Sequence, residues 1–316
     1  MDKTRKVLML GSKDSGKTTY MVSAYGAMKT GKYGFSVYGD HDTDAWLMEL
    51  YSQIKDGRYP MPSVKRDQFD FNLYYYQQQV LSFQWVDYFG GVISEVKSQE
   101  LASDIDEADA LMIFLDAGVL AGSKAMDTKL RRILYLIGKK LGDTERTFDV
   151  LAVVTKYDLV GTTLPFEEVT KSLENIKNML SNRENIHFRI VPVSCTAHGF
   201  MNVDLPLIDI LYSGLKENHD YHLRKSQEHA KLAKQYYRSR GPLDWMLSKL
   251  LRIKTNGELA QESRIAAEQE QDIWRELNTA LKQLKTYRDN YQITIPEFSG
   301  EYKPQTGKRN SRFKNM

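Results

Sequence analysis

Gly11 and Gly16, followed at once by Lys17 and Thr18, set the spacing G-x-x-x-x-G-K-[ST] in the run Gly11-Ser12-Lys13-Asp14-Ser15-Gly16-Lys17-Thr18. The chemistry this spacing serves is the holding of a polyphosphate. The glycines permit backbone angles and a close approach that a β-carbon would forbid, so the N–H groups of the loop can turn inward onto phosphate oxygens. Lys17 would reach the β- and γ-phosphates, and the Thr18 hydroxyl would bind Mg²⁺. The alternative is an ordinary Gly/Ser turn, and context separates the two. A phosphate loop must leave a buried strand and open a helix, so that the anion lies at a helix N-terminus. Val7–Leu10 reads as that strand, and Tyr20, Met21, Ala24, Tyr25 and Met28 recur at helical spacing over Thr18–Met28.

Two further sets of residues carry chemistry. Asp87-Tyr88-Phe89-Gly90 is a D-x-x-G pattern, weak in isolation and repeated at Asp158-Leu159-Val160-Gly161. Position promotes Asp87, because it ends an apolar strand, where ligand-binding residues of an open α/β sheet collect. Thr155-Lys156-Tyr157-Asp158 fits [NT]-K-x-D. A carboxylate at 158 can accept from guanine N1–H and its 2-amino group together, a donor pair that adenine lacks. A buried carboxylate left unpaired by the wrong base discriminates strongly. Lys156 would lay its stem over the purine, and the backbone of Ser194-Cys195-Thr196 would offer an N–H to the guanine carbonyl. For Asp158 the competing reading is a turn or helix-capping residue after a strand.

The elements that position these groups follow from apolar patterning. Tyr33–Tyr38 reads as a strand and Thr43–Ile54 as an amphipathic helix, with a loop after it through Pro60 and Pro62. Phe69–Tyr76 and Val80–Val86 alternate and are separated only by glutamines, which predicts a hairpin. Leu111–Leu115 and Phe148–Val154 are continuous apolar runs of the kind central parallel strands show. Thr128–Leu141 and Phe166–Leu180 read as helices, Phe188–Val193 as a strand, and Leu205–Leu215 as a closing helix. The alternation predicts a three-layer α/β fold with a mostly parallel sheet.

Composition narrows the class of protein. The chain has 316 residues, room for an α/β domain and an appendage. No apolar run is long enough for a membrane span, the N-terminus does not read as a signal peptide, and the single cysteine, Cys195, excludes an internal disulfide. Together these lead to the expectation of a cytoplasmic protein. Net charge is +3, divided unevenly: residues 1–220 sum to −5 and residues 221–316 to +8. The basic portion hints at an anionic partner, although a solvated helical face explains the same count.

In the order and placement of these motifs the chain resembles P-loop GTPases of the Ras-like (TRAFAC-type) class, over about residues 6–217. The stretch Gly57-Arg58-Tyr59-Pro60 is also similar to that of bacterial double-GTPase domains. The resemblance implies GTP or GDP as ligand with Mg²⁺ as cofactor, Gly11 to Thr18 on the phosphates, Thr155, Lys156, Asp158, Ser194, Cys195 and Thr196 around the base, and Thr18 and Asp87 at the metal. It further implies a first switch from Arg58 to Arg66, with Ser63 meeting Mg²⁺ and γ-phosphate, and a second from Asp87 to Glu95, with the Gly90 N–H sensing the γ-phosphate. Lys17, Ser63 and Gly90 would then be the catalytic set. One departure matters: the family's usual glutamine after the D-x-x-G glycine is Gly91 here. Slow intrinsic hydrolysis is expected, or help from Glu95, Arg58, a partner's arginine or a cation near Asp14. A nucleotide-binding module without turnover, and a P-loop ATPase or nucleoside kinase, are the rival expectations.

Beyond residue 217 the chain changes character. We expect a helical extension over residues 218–295, with helices His222–Arg240, Leu243–Ile253 and Glu258–Tyr291, and a basic disordered tail over 296–316. Leu243–Ile253 carries an apolar stripe among lysines and arginines, a pattern that most often packs on its own domain but also suits a partner helix or a membrane surface. Ile273, Leu277, Ala280, Leu284, Tyr287 and Tyr291 form a short coiled-coil-like seam. A protein partner is expected through the switch loops or these helices, with nucleic acid the less favoured occupant of the basic tail.

Overall fold

The computed structural model describes residues 4–61, 66–88, 99–122, 147–161, 164–196, 199–251, 254–291 and 293. Its centre is a seven-stranded sheet in the order β2-β3-β4-β1-β5-β6-β7. The strands are β1 (Arg5–Gly11), β2 (Phe35–Tyr38), β3 (Asp67–Tyr75), β4 (Gln78–Asp87), β5 (Ala110–Asp116), β6 (Phe148–Thr155) and β7 (Ile186–Pro192). β4, β1, β5, β6 and β7 run parallel, while β3 is antiparallel to both of its neighbours. The predicted hairpin is therefore present, and it extends a parallel sheet by an antiparallel edge.

Why the layers form is visible along β1. Val7 and Met9 face one side and Leu8 and Leu10 the other, each fully buried. The first pair joins a core with α1 (Lys17–Lys29), α2 (His41–Lys55) and the later helices α7 (Leu205–Arg238) and α9 (Asn256–Asn290). The second pair joins a core with α3 (Gln99–Glu107), α4 (Ala117–Gly122), α5 (Phe166–Thr170) and α6 (Glu174–Ser181). At about 1.5–3 kcal/mol for each fully buried aliphatic or aromatic side chain, these two cores fix the sheet between helical layers. This is a three-layer α/β fold with a C-terminal helical region, as the sequence predicts.

Three differences from the sequence reading have physical causes. Phe166–Leu180 is not one helix but α5 and α6 joined by a 3₁₀ turn at Lys171–Leu173. Leu205–Leu215 and His222–Arg240 are not two helices but one, the 34-residue α7. The polar segment between them contains no breaker, and Gly214 serves close packing: a β-carbon there would stand 2.5 Å from the Arg5 Cδ. The expected domain limit at residue 217 falls inside this helix. Lastly, the seam residues Leu277, Ala280, Leu284 and Tyr287 join the body's own core, in one cluster with Leu211 and Leu215 of α7.

α7 and α9 form an antiparallel pair, with α8 (Pro242–Leu251) at its far turn. Its root is clamped by Asp204, which accepts from Lys32, from Tyr287 and, at 3.0 Å, from Tyr291. Midway, Glu270 pairs with His222 at 2.5 Å, and the Ser226 hydroxyl donates to the Ala267 carbonyl at 3.0 Å. Thr255 and Glu258 cap α9 reciprocally. The predicted helix Thr128–Leu141 and the tail from residue 296 lie outside the described residues.

Candidate functional site

The loop after β1 enters α1 through two left-handed residues, Asp14 (φ 62°) and Gly16 (φ 85°). Gly11 has no room for a side chain, since a β-carbon would lie 2.6 Å from the Ser15 Oγ and 2.9 Å from Phe114. The glycines are thus required by the fold of the loop itself. Lys17 is buried and donates to the carbonyls of Gly11 (3.1 Å) and Ser12 (3.3 Å), so its ammonium is held across the loop's mouth. Burial lowers its pKa, and the carboxylates of Asp87 and Asp14 work against that shift.

Asp87 ends β4 in register with Met9 of β1 and is buried. Its carboxylate accepts from the Thr18 hydroxyl at 3.3 Å. The pair fits Mg²⁺: a hydroxyl and a carboxylate are hard oxygen donors, and an ion between loop and strand end suits them. Among the described residues no group of three or more His, Cys, Asp or Glu could hold a metal by itself. A magnesium ion here would take its remaining ligands from phosphate oxygens and water.

The second wall comes from the ends of β6 and β7. The Thr155 hydroxyl donates to the Ser15 carbonyl (2.7 Å) and the Leu115 carbonyl (3.1 Å), locking β6 to the loop. Lys156, itself left-handed (φ 55°), sends its ammonium to the Asp14 carbonyl at 2.7 Å and to Asp116 at 2.8 Å. Asp158 accepts from the Ser194 hydroxyl at 2.6 Å, so the short strand β8 (Ser194–Thr196) orients the carboxylate. A hydroxyl so placed engages one oxygen of the carboxylate, Oδ1.

A cavity of about 400 Å³ joins the two walls. Its lining includes Lys13, Asp14, Ser15, Gly16, Lys17 and Thr18 on one side, and Thr155, Lys156, Asp158, Cys195 and Thr196 on the other. Gly11, Ser12, Asp87 and Ser194 are not in the lining but bond to residues that are: Gly11 and Ser12 to Lys17, Asp87 to Thr18 and Ser194 to Asp158. Ser63 and Gly90 lie outside the described residues. The sequence reading missed Asp116, which no motif marks although it ends β5 just as Asp87 ends β4. It also assigned no role to Leu159, which borders the cavity together with Tyr59, Pro60 and Met61 of the stretch expected as the first switch. The two undescribed segments at residues 62–65 and 89–98 are flanked by Arg66 and Tyr88, and both residues bond to Asp104 of α3. Burial would raise the Asp104 carboxyl, but Lys6, Tyr88 and Arg66 together hold it below the ordinary value.

The site thus lies on a three-layer α/β fold with a mostly parallel sheet, whose central strand β1 runs through this loop into α1. No protein-family model and no curated protein matches the chain. Among solved structures it is similar to the bacterial selenocysteine-specific elongation factor EF-Sec, at 18% identity over 68% of this chain and 29% of that one, with a TM-score of 0.40. It is also similar to elongation factor SelB from Methanococcus maripaludis in complex with the GTP analogue GppNHp, at 18% identity over 68% and 35%, TM-score 0.40. The small GTPase Arl6 BBS3 from Trypanosoma brucei, with bound GppNp, gives 13% identity over 67% and 98%, TM-score 0.40. The matched region thus spans about a third of each elongation factor.

Proposed function

We propose that this protein binds GTP and GDP with Mg²⁺, hydrolyses GTP slowly, and uses its nucleotide state to control a protein partner in the cytoplasm. The observation that carries this reading is the shared cavity: Lys17 and Thr18 line one side and Asp158 the other, so one nucleotide can be held by both ends. Lys17 and the loop N–H groups neutralise charge on the β- and γ-phosphates, Asp158 reads the base edge, and Lys156 covers the ring. Thr18 and Asp87 would hold Mg²⁺, which would supply further positive charge at the phosphates. The switch roles of Ser63 and Gly90 belong to this proposal, as does kinship with the bacterial double-GTPase kind, which rests on Gly57-Arg58-Tyr59-Pro60.

Competition for labelled GDP tests the specificity. GTP should displace it and ATP should not, and Asp158→Asn should move preference towards xanthine nucleotides; displacement by ATP as readily as by GTP would remove the guanine assignment. Gly91, where a water-orienting glutamine is usual, favours one second reading, a guanine-nucleotide module without turnover. Single-turnover phosphate release from bound GTP, measured against a Lys17→Ala control, separates the two.

A further inference from the structure

We propose that the tip of the α7–α9 pair is a docking surface for an anionic lipid bilayer. The sequence favours packing of the Leu243–Ile253 stripe on its own domain, and the structure does otherwise. Leu243 (69%), Trp245 (60%), Met246 (61%), Leu250 (78%) and Leu251 (60%) keep most of their surface exposed. Leu243, Met246, Leu250 and Leu251 fall at helical spacing on one face of α8. The tip is nonetheless an ordered turn. Asp244 accepts from the Asn256 backbone N–H at 2.9 Å, the Asn256 side chain donates to the Ser239 carbonyl at 3.0 Å, and the Ser248 hydroxyl donates to the Trp245 carbonyl at 2.9 Å. A large apolar patch displayed on a fixed turn marks a contact surface.

Charge decides the occupant. Residues 231–262, which span the tip, hold seven lysines and arginines against Asp244, Glu258 and Glu262, a net of +4, whereas residues 1–220 sum to −5. All three acids are engaged within the tip: Asp244 with the Asn256 N–H, Glu258 in the cap of α9 and Glu262 with Lys254 at 2.5 Å. Two of the cations lie on aromatic faces: Lys249 is 4.7 Å from the Trp245 ring centre and Arg240 is 4.6 Å from that of Tyr237. Trp, Tyr and Leu together with Lys and Arg at one end of a helical element match the boundary between anionic headgroups and acyl chains. There the aliphatic stems lie along apolar matter and the charges meet phosphate. A protein partner would have to supply an apolar groove with an acidic rim fitted to this one turn, which an anionic bilayer offers over its whole area, and a nucleic acid makes no use of four apolar side chains. No helix among the described residues is long and apolar enough to cross a membrane, so the attachment would be peripheral.

The tip also points the right way. α7 is rooted at the strand ends opposite the cavity, where Asn218 donates to the Val80 carbonyl at 3.4 Å and Gln78 bonds Glu276. From His222 to Arg238 it continues for about 24 Å at 1.5 Å per residue. A bilayer at the tip therefore leaves the cavity open to solution.

Co-flotation of the full chain with vesicles is the test, comparing phosphatidylcholine alone with a mixture containing about a third phosphatidylserine. Binding should need the anionic lipid and weaken with salt. Lys249→Gln with Arg240→Gln should lower partitioning roughly thirtyfold, and Leu250→Ala with Trp245→Ala should lower it about tenfold or more. Far-ultraviolet circular dichroism and thermal melting of each variant confirm folding. Lys17→Ala should float like the unaltered chain, which keeps this inference separate from the nucleotide reading. It is overturned if anionic vesicles do not carry the protein, if folded tip variants bind as well as the original, or if the chain dimerises without lipid through contacts that Leu250→Ala abolishes.

Discussion

The two ends of this molecule treat their side chains in opposite ways. At the carboxyl ends of the parallel strands the charged and hydroxyl groups of the motifs already have protein partners: Lys17 lies on loop carbonyls, Thr18 on Asp87, Lys156 on Asp14 and Asp116, and Asp158 on Ser194. At the helical tip, large apolar groups face outward with cations beside them. The first arrangement is pre-organised for one small charged molecule, because its donors are fixed before the ligand arrives. The second suits an extended, compliant surface, for which fixed geometry matters less than area and charge. The two proposed roles, recognition of a nucleotide and attachment to a bilayer, thus fall on separate elements, so that each should be alterable without the other.

Substitutions can break that separation or sharpen it. The largest effect should come from Lys17→Ala, which should slow GTP hydrolysis by about 10²–10³-fold in single-turnover measurements and leave the helical pair intact. Next is Leu284→Ala, at a fully buried position where α9 meets the body; urea unfolding should show a loss of about 2–5 kcal/mol. If instead only the helical pair came loose while the sheet kept its stability, the two regions would be energetically independent as well as functionally so.

Asp204 gives a smaller effect with a pH signature. Burial would raise its carboxyl, but Lys32, Tyr287 and Tyr291 hold it below the ordinary 3.8. With the folded value below the unfolded one, its contribution to stability is complete above about 3.8 and fades as pH falls towards the folded value. Asp204→Asn should therefore cost about 1–3 kcal/mol at neutral pH and show a flatter loss of stability in acid. Thr255→Ala, which removes the cap of α9 beside the tip, should cost about 1 kcal/mol. Its effect on vesicle binding, if α8 is held mainly by Asp244 and Asn256, should be negligible.

Local pattern revealed most of the sheet. Uninterrupted apolar runs such as Leu111–Leu115 give buried parallel strands, and alternation gives the β3–β4 hairpin, because side-chain period reports the number of buried faces. The loop and the [NT]-K-x-D stretch were legible for a different reason: their geometry is local, set by Gly11, Gly16 and the left-handed Lys156. What pattern could not show depended on distant partners. Asp116 matters because Lys156 reaches it across 40 positions. Gly214 reads as a weak point until Arg5 is seen to pass over it. The exposure of α8 was hidden because an amphipathic stripe looks the same whether its own domain covers it or not.

The unbroken course of α7 has a mechanical meaning. At 1.5 Å per residue its 34 residues make a shaft about 51 Å long. Its first half cannot swing as a lever, because Asp209, Ser213, Glu217 and Asn218 bond it to the sheet and His222 is buried. Only the part beyond His222, about 24 Å of it, is free to bend, and a flexure of about 10° there would carry Arg238 through roughly 4 Å, by the same rise per residue. The helix is therefore a beam built into the body at one end, stiff where it is buried and compliant where it projects.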